Sequence, residues 1–361
     1  MTNPSQKFGI YIHWPFCLSK CPYCDFFSQI KKNIPQDDII NEYISDLDFY
    51  HNLTDNQKVT SIFFGGGTPS LIKPQNIEKI ISHIKNKWKC AEDIEISLEA
   101  NPNTNHKNMF SELKKAGINR LSLGVQSLND EDLKFLGRTH SSKEALAAAD
   151  DVIRTFDNHS MDMIYALPHQ NINSWRQDLE KITGFSFKHL SLYQLTIEDS
   201  TAFYAKKINA MEENKAIEIY NLTSDFLNSK GYEHYEISNF AKNGFEARHN
   251  LAYWEGHDYI GVGKSAHGRI GLLATTHCRN IENLTPEERA EELLIMGLRL
   301  ENGINKRAFF DKTGIAFNNF VNSQKVQNMI KQKLVLDGDT RFKLTKDGRN
   351  LLNYVLSEIF G

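Results

Sequence analysis

The sequence predicts an α/β protein: a partial, open barrel of about six βα units, followed by a helix-rich, winged-helix-like C-terminal domain. Three observations carry this. Short β-rich runs alternate with amphipathic runs over roughly the first 200 residues, the pattern of successive parallel units. A loop with three cysteines follows the first run, where a barrel builds its site. After Gly231 the composition changes, and from Pro286 onward the chain reads as helical and charged.

The strand candidates, in order, are Gly9 to His13, Val59 to Phe64, Ile94 to Glu99, Arg120 to Val125, Met161 to Leu167 and Leu190 to Leu195. Amphipathic stretches lie between them: Ile39 to Phe49, Asn76 to Trp88, Asn108 to Ala116, Lys143 to Phe156 and Trp175 to Ile182. Their apolar residues recur at three and four, as in Ile77, Ile80, Ile81 and Ile84. The expected division is a barrel over residues 1–240, a segment over 241–285 packing on it, and the C-terminal domain over 286–361.

Composition narrows the function classes. Of 361 residues, 40% are hydrophobic and 24% charged, enough for a sizeable core. A net charge of -3 gives no electrostatic reason to expect nucleic acid. No apolar run approaches the ~20 residues of a membrane span, so the expected location is cytoplasmic, with any contact at the inner membrane peripheral. Met1 to Lys7 is short and polar and reads as no secretory signal, which disfavours disulfides.

The first loop reads Cys17-Leu-Ser-Lys-Cys21-Pro-Tyr23-Cys24. Three thiols at these spacings suit three corners of an iron–sulfur cubane and leave one iron without a protein ligand. Zinc is the competing reading, although a zinc site usually adds a second Cys or His pair. Cys90 and Cys278 are isolated, with only His277 beside the second, and read as ordinary small residues.

Polar residues and glycines cluster where the strands end, at Gly65-Gly66-Gly67-Thr68, Glu99 and Gln126; the next segment supplies Arg138, the fifth strand opens with Asp162, and the sixth carries Tyr193, Gln194 and Glu198. Singly, each is more often a solvated polar residue than a ligand.

With its C-x-x-x-C-x-x-C spacing and the aromatic Tyr23 before the last cysteine, the loop resembles that of the radical S-adenosylmethionine (SAM) superfamily. The whole series resembles the branch containing oxygen-independent coproporphyrinogen III oxidase and its haem-chaperone relatives. That resemblance implies a [4Fe-4S] cluster on Cys17, Cys21 and Cys24. It implies SAM contacts at Tyr11, Tyr23, Gly66, Gly67, Thr68, Glu99, Gln126, Arg138 and Asp162. Two positions depart from the family's G-L-P-G-Q turn, Ala166 and His169; a positive φ at His169 would strain that turn. Lys264 stands where small residues are expected.

Within the branch, His249-Asn-Leu-Ala-Tyr253-Trp254 matches the H-N-x-x-Y-W motif of the haem chaperones. On a helix, His249 and Tyr253 share a face, so the segment offers either an axially ligated haem or a core histidine under packed aromatics. Phe26 stands where the oxidase usually has a further cysteine, and the oxidase tends to a longer extension before its cluster. The resemblance therefore implies a haem chaperone, holding haem near His249 and delivering it to haem-accepting proteins, respiratory-chain proteins at the membrane among them; a homodimer is compatible with it. Radical decarboxylation of coproporphyrinogen III is the alternative, and chemistry on another tetrapyrrole stays open. The C-terminal unit reads as a lid or docking module, since no basic stripe accompanies its winged-helix-like pattern.

Overall fold

The computed structural model describes residues 7–104, 108–276 and 279–360. Cys278, His277 and residues 1–6 lie outside them.

The barrel strands are β1 (Phe8–Trp14), β2 (Lys58–Gly66), β3 (Lys89–Ala100), β4 (Arg120–Gln126), β5 (Asn158–Tyr165) and β6 (His189–Gln194), paired parallel in that order. Helices α1 (Gln36–Thr54), α2 (Pro74–Lys87), α3 (Met109–Lys115), α4 (Ser142–Thr155) and α5 (Ile172–Gly184) connect them. Alternation along β1 shows how the sequence builds this layer. Phe8, Ile10, Ile12 and Trp14 are fully buried in one core with Ile40, Leu47, Ile77 and Ile80 from the helices. Gly9, Tyr11 and His13, on the other face, look into the lumen. Local signals start the helices: Ser141 and Glu144 form a capping box before α4, as do Asn171 and Ser174 before α5.

Helix α6 (Glu213–Ser229) stops at Lys230, ahead of Gly231 at φ 75°. A hairpin, β7 (Glu233–Glu236) and β8 (Asn239–Ala241), then closes one edge antiparallel to β6. The segment 241–285 does more than lie on the barrel. Helix α7 (Arg248–Trp254) crosses the end where the strands begin, and β9 (Asp258–Val262) pairs parallel with β1, levelling Tyr11 with Gly261. Strands β10 (Gly268–Ile270), β11 (Leu273–Thr276) and β12 (Asn280–Asn283) continue antiparallel, giving the order β12-β11-β10-β9-β1-β2-β3-β4-β5-β6-β8-β7. The run from Tyr259 to Val262 thus satisfies the open edge of β1, which would otherwise present unpaired backbone groups.

The C-terminal unit has its own core of Leu294, Phe309, Phe317, Phe342 and Val355. It joins α8 (Pro286–Gly297), α9 (Lys306–Thr313), α10 (Ser323–Lys331) and α11 (Leu352–Phe360) to a small antiparallel sheet of β13 (Ile304–Asn305), β14 (Val335–Asp337) and β15 (Arg341–Leu344). The β14–β15 hairpin is its wing. Among the described residues no helix is long and apolar enough to cross a membrane.

Candidate functional site

The strands end around a pocket of about 340 Å³, roofed by the cysteine loop. The chain reaches it from β1 through Pro15, and backbone bonds pin the loop on both sides: Gln29 N–H donates to Pro15 O at 2.7 Å, and Thr68 N–H to Phe16 O at 2.9 Å. His13 adds a lock the sequence reading missed. Phe27 O can only accept, so His13 Nε2–H donates to it at 3.0 Å, and Nδ1 accepts from Tyr11 O–H at 2.9 Å. Burial pushes the imidazole below its ordinary pKa, which keeps that neutral pattern.

Cys17 is buried, and Cys21 and Cys24 are partly so; all three line the pocket. Thr68 Oγ1 donates to Cys17 Sγ at 3.5 Å, and Arg138 Nη1 to Cys21 Sγ at 3.5 Å. Burial pushes the Cys24 thiol up. Gly67 is required here: a Cβ would stand 2.7 Å from Phe16 O and 3.0 Å from Cys17 Sγ, so any larger residue would displace the loop. Gly66 beside it has φ 109°, a backbone state L-residues avoid. Among the described residues no three His, Cys, Asp or Glu side chains stand close enough to grip a single metal ion.

Arg138 spans the pocket wall, donating also to Gly124 O at 3.0 Å and to Asn101 Oδ1. Asn101, which the sequence reading passed over, joins this arginine to Thr68. Gln126 holds φ 70°, an uncommon state that turns it at the strand end. Two carboxylates stand on the floor. Burial, then the neighbouring Asp162, pushes Glu99 up to about 8, against a hydrogen bond from the Gly66 backbone; the water-open pocket moderates this rise. Asp162 is also raised by burial, opposed by hydrogen bonds from Ser122, Ser160 and Ser191. Ser122 donates to both its oxygens at 2.8 Å. The signal for these serines was period-two placement on the lumen face of neighbouring strands.

Eleven of the thirteen anticipated residues therefore line one pocket: the three cysteines, Tyr23, Gly66, Gly67, Thr68, Glu99, Gln126, Arg138 and Asp162. Tyr11 lies below it, bonded to His13 and stacked on Phe63. His249 lies deeper, at the opposite end of the lumen. Its ring is 1% exposed, with Nδ1 bonded to Ser61 Oγ at 2.8 Å and Nε2 to Tyr253 Oη at 2.7 Å. Phe63 stacks on it at 5.2 Å, and burial pulls its pKa down to about 3. Of the two readings of this motif, the geometry is that of the core histidine: neither nitrogen is open to an iron.

The expected strain also falls elsewhere. Ala166, not His169, takes the positive φ, 59°. His169 stays outside that region, its Nε2 bonded to Asp132 at 2.7 Å. Lys264 is exposed, its ammonium 5.3 Å from the Phe27 ring centroid.

The radical SAM superfamily profile matches residues 11–182, and the HemN C-terminal domain profile matches residues 284–351. The heme chaperone HemW of Buchnera aphidicola subsp. Schizaphis graminum is 35% identical over 96% of this chain and 97% of its own. The chain belongs to the HemW family. HemW of Escherichia coli (strain K12) is 33% identical over 98% of this chain and 97% of its own. The mitochondrial radical S-adenosyl methionine domain-containing protein 1 of Mus musculus is 32% identical over 98% and 87% respectively. Among solved structures, the coproporphyrinogen III oxidase HemN of Escherichia coli superposes with a TM-score of 0.81, covering 99% of this chain and 91% of its own. At 20% identity that likeness shows the fold, a radical SAM barrel with a HemN-type C-terminal domain. Membership of the radical SAM superfamily implies a [4Fe-4S] cluster and SAM.

Proposed function

We propose that the protein is a haem chaperone that binds a [4Fe-4S] cluster, SAM and haem, and passes haem to acceptor proteins such as those of the respiratory chain. The observation that carries this is family membership over almost the whole length of both chains, at 33–35% identity to bacterial HemW proteins. Phe26, where the oxidase pattern asks for a cysteine, supports the same side.

Cys17, Cys21 and Cys24 would hold the cluster. All three line the pocket, as ligands of separate irons would, and the missing side chain at Gly67 leaves room against Cys17. Bound together, the cluster and SAM supply reductive cleavage of the sulfonium bond. The chain's own groups then divide the work. Gly66 and Gly67 let a ligand approach the backbone, and Arg138 holds the wall and one thiol. Glu99 and Asp162 place negative or hydrogen-bonding oxygens beneath an ammonium and a ribose. Haem delivery requires no radical, so this pocket serves as a condition for loading or release. The proposed location is cytoplasmic, with peripheral contact where acceptors lie in a membrane.

The test is anaerobic. Reconstituted protein with SAM and a strong reductant is supplied with coproporphyrinogen III in one arm. In the other, haem-loaded protein meets an apo-haemoprotein. Haem transfer with the porphyrinogen left intact is expected; stoichiometric protoporphyrinogen would replace this reading with the oxidase.

A further inference from the structure

His249 offers no nitrogen to an iron, yet the helix that carries it ends at a second cavity. This cavity, about 500 Å³, lies beyond the closed end of the barrel, between α7 and the C-terminal unit. Its size is within the range of ligand pockets. Trp254, the last residue of the motif, lines it, with an indole Nε1–H that is buried and without a partner. Leu293 and Phe309 supply apolar wall on the facing helices.

We infer that haem is carried in this cavity, its plane against Trp254 and its iron bound by His257. The inference rests on the haem-carrying reading above and deepens it by naming the site. His257 differs from His249 in each respect that ligation needs. Its side chain is 17% exposed and lines the cavity. Its Nε2 lies 3.2 Å from Glu255 Oε2, which engages this nitrogen with the carboxylate and leaves Nδ1 as the one for iron. A carboxylate behind a ligating imidazole fixes its tautomer and strengthens it as a ligand. Glu255 is itself anchored by Lys7 Nζ at 2.6 Å. Burial also favours the neutral ring, the form that ligates.

Haem brings two carboxylates as well as a plane. Two cations line the same cavity, Lys312 and Arg341, and neither forms an ion pair among the described residues. Lys312 donates to Glu255 O at 2.9 Å, and Arg341 to Asn302 O at 3.2 Å, so both are held in place by neutral carbonyls. Glu233 and Glu246 border the cavity too, which directs the propionates toward the lysine and arginine.

The test is a titration of the full chain with haemin, read in the Soret band, alongside iron-free protoporphyrin read by fluorescence. For His257→Ala, the expected result is a moved Soret maximum, about tenfold weaker haemin binding, and restoration of the spectrum by added imidazole. Protoporphyrin, which has no iron to ligate, should bind this variant as it binds wild type. Ala308→Trp, which fills the cavity, should abolish binding of both. Circular dichroism and the melting temperature check that each variant is folded. If wild type binds no haemin, the haem-carrying reading itself falls. If wild type binds and both folded variants match it in spectrum and affinity, that reading stands and this site is wrong.

Discussion

Replacing His249 with alanine separates a haem ligand from a structural histidine. The substitution leaves Ser61 Oγ and Tyr253 Oη without their partner and opens a void beside Phe63. Together these cost about 4–6 kcal/mol. That is a large part of the ~5–15 kcal/mol of a typical fold. The pH dependence gives a sharper signature. The folded pKa, about 3, lies below the ordinary 6.5, so below pH 6.5 the unfolded chain holds a proton that the folded protein does not. The contribution of His249 is therefore full above that value and falls on acidification by about 1.4 kcal/mol per pH unit. Urea unfolding of the cofactor-free protein should show a wild-type-minus-variant difference near 5 kcal/mol at about pH 7.5, shrinking by about 1.4 kcal/mol at about pH 5.5. A difference under about 1 kcal/mol, or one that widens in acid, would refute a buried, neutral, doubly bonded ring.

Glu99 should behave in the opposite sense. Its carboxyl, raised from 4.5 to about 8, keeps a proton in the folded state that the unfolded chain has lost, so stability falls as pH rises through that window. Glu99→Gln should flatten the fall, by less than about 1.4 kcal/mol per pH unit because the pocket is open to water; melting temperatures at pH 6 and about pH 8.5 check it. Arg138→Lys should lower the iron and sulfide retained after reconstitution, since an ammonium cannot reach Gly124 O, Asn101 and Cys21 Sγ together, and equal retention would contradict this. Ala166→Gly should stabilise by about 0.5–1 kcal/mol in urea unfolding by relieving the positive φ, whereas a loss would mean that the methyl packs well enough to outweigh the strain.

The pocket was legible because barrel sites are built at strand ends, and a strand end leaves a mark in one dimension: an apolar run that stops at Gly66, Glu99 or Gln126. The cysteine spacing is equally local. What escaped is what only the closed lumen determines. Tyr259 to Val262 has the makings of a strand, but that it returns parallel beside β1 follows from the open edge of β1, more than 240 residues earlier. His249 and Tyr253 share a helix face on either reading. Only Ser61, 188 residues away and bonded to Nδ1, shows that both nitrogens are taken. The strain near Pro168 was legible as a departure, but not its position, because a turn can place its left-handed residue at any of several adjacent sites.

The lumen between the two ends is polar, and hydrogen bonds link side chains along it. Ser160 Oγ stands 3.3 Å from Asp162, 3.3 Å from Ser191 Oγ and 2.7 Å from His189 Nδ1; with its hydrogen on the carboxylate it accepts from His189 Nδ1–H. His189 Nε2 is then bare and accepts from Tyr235 O–H at 2.7 Å, and Tyr235 accepts in turn from Ala247 N–H at 3.3 Å. His189 remains neutral, because burial, then Arg120, drives its pKa well down. Asp162 lines the cofactor pocket and Tyr235 lines the cavity at the closed end. The contacts through Ser160, His189 and Tyr235 thus join the wall of the cofactor pocket to the cavity at the closed end of the barrel.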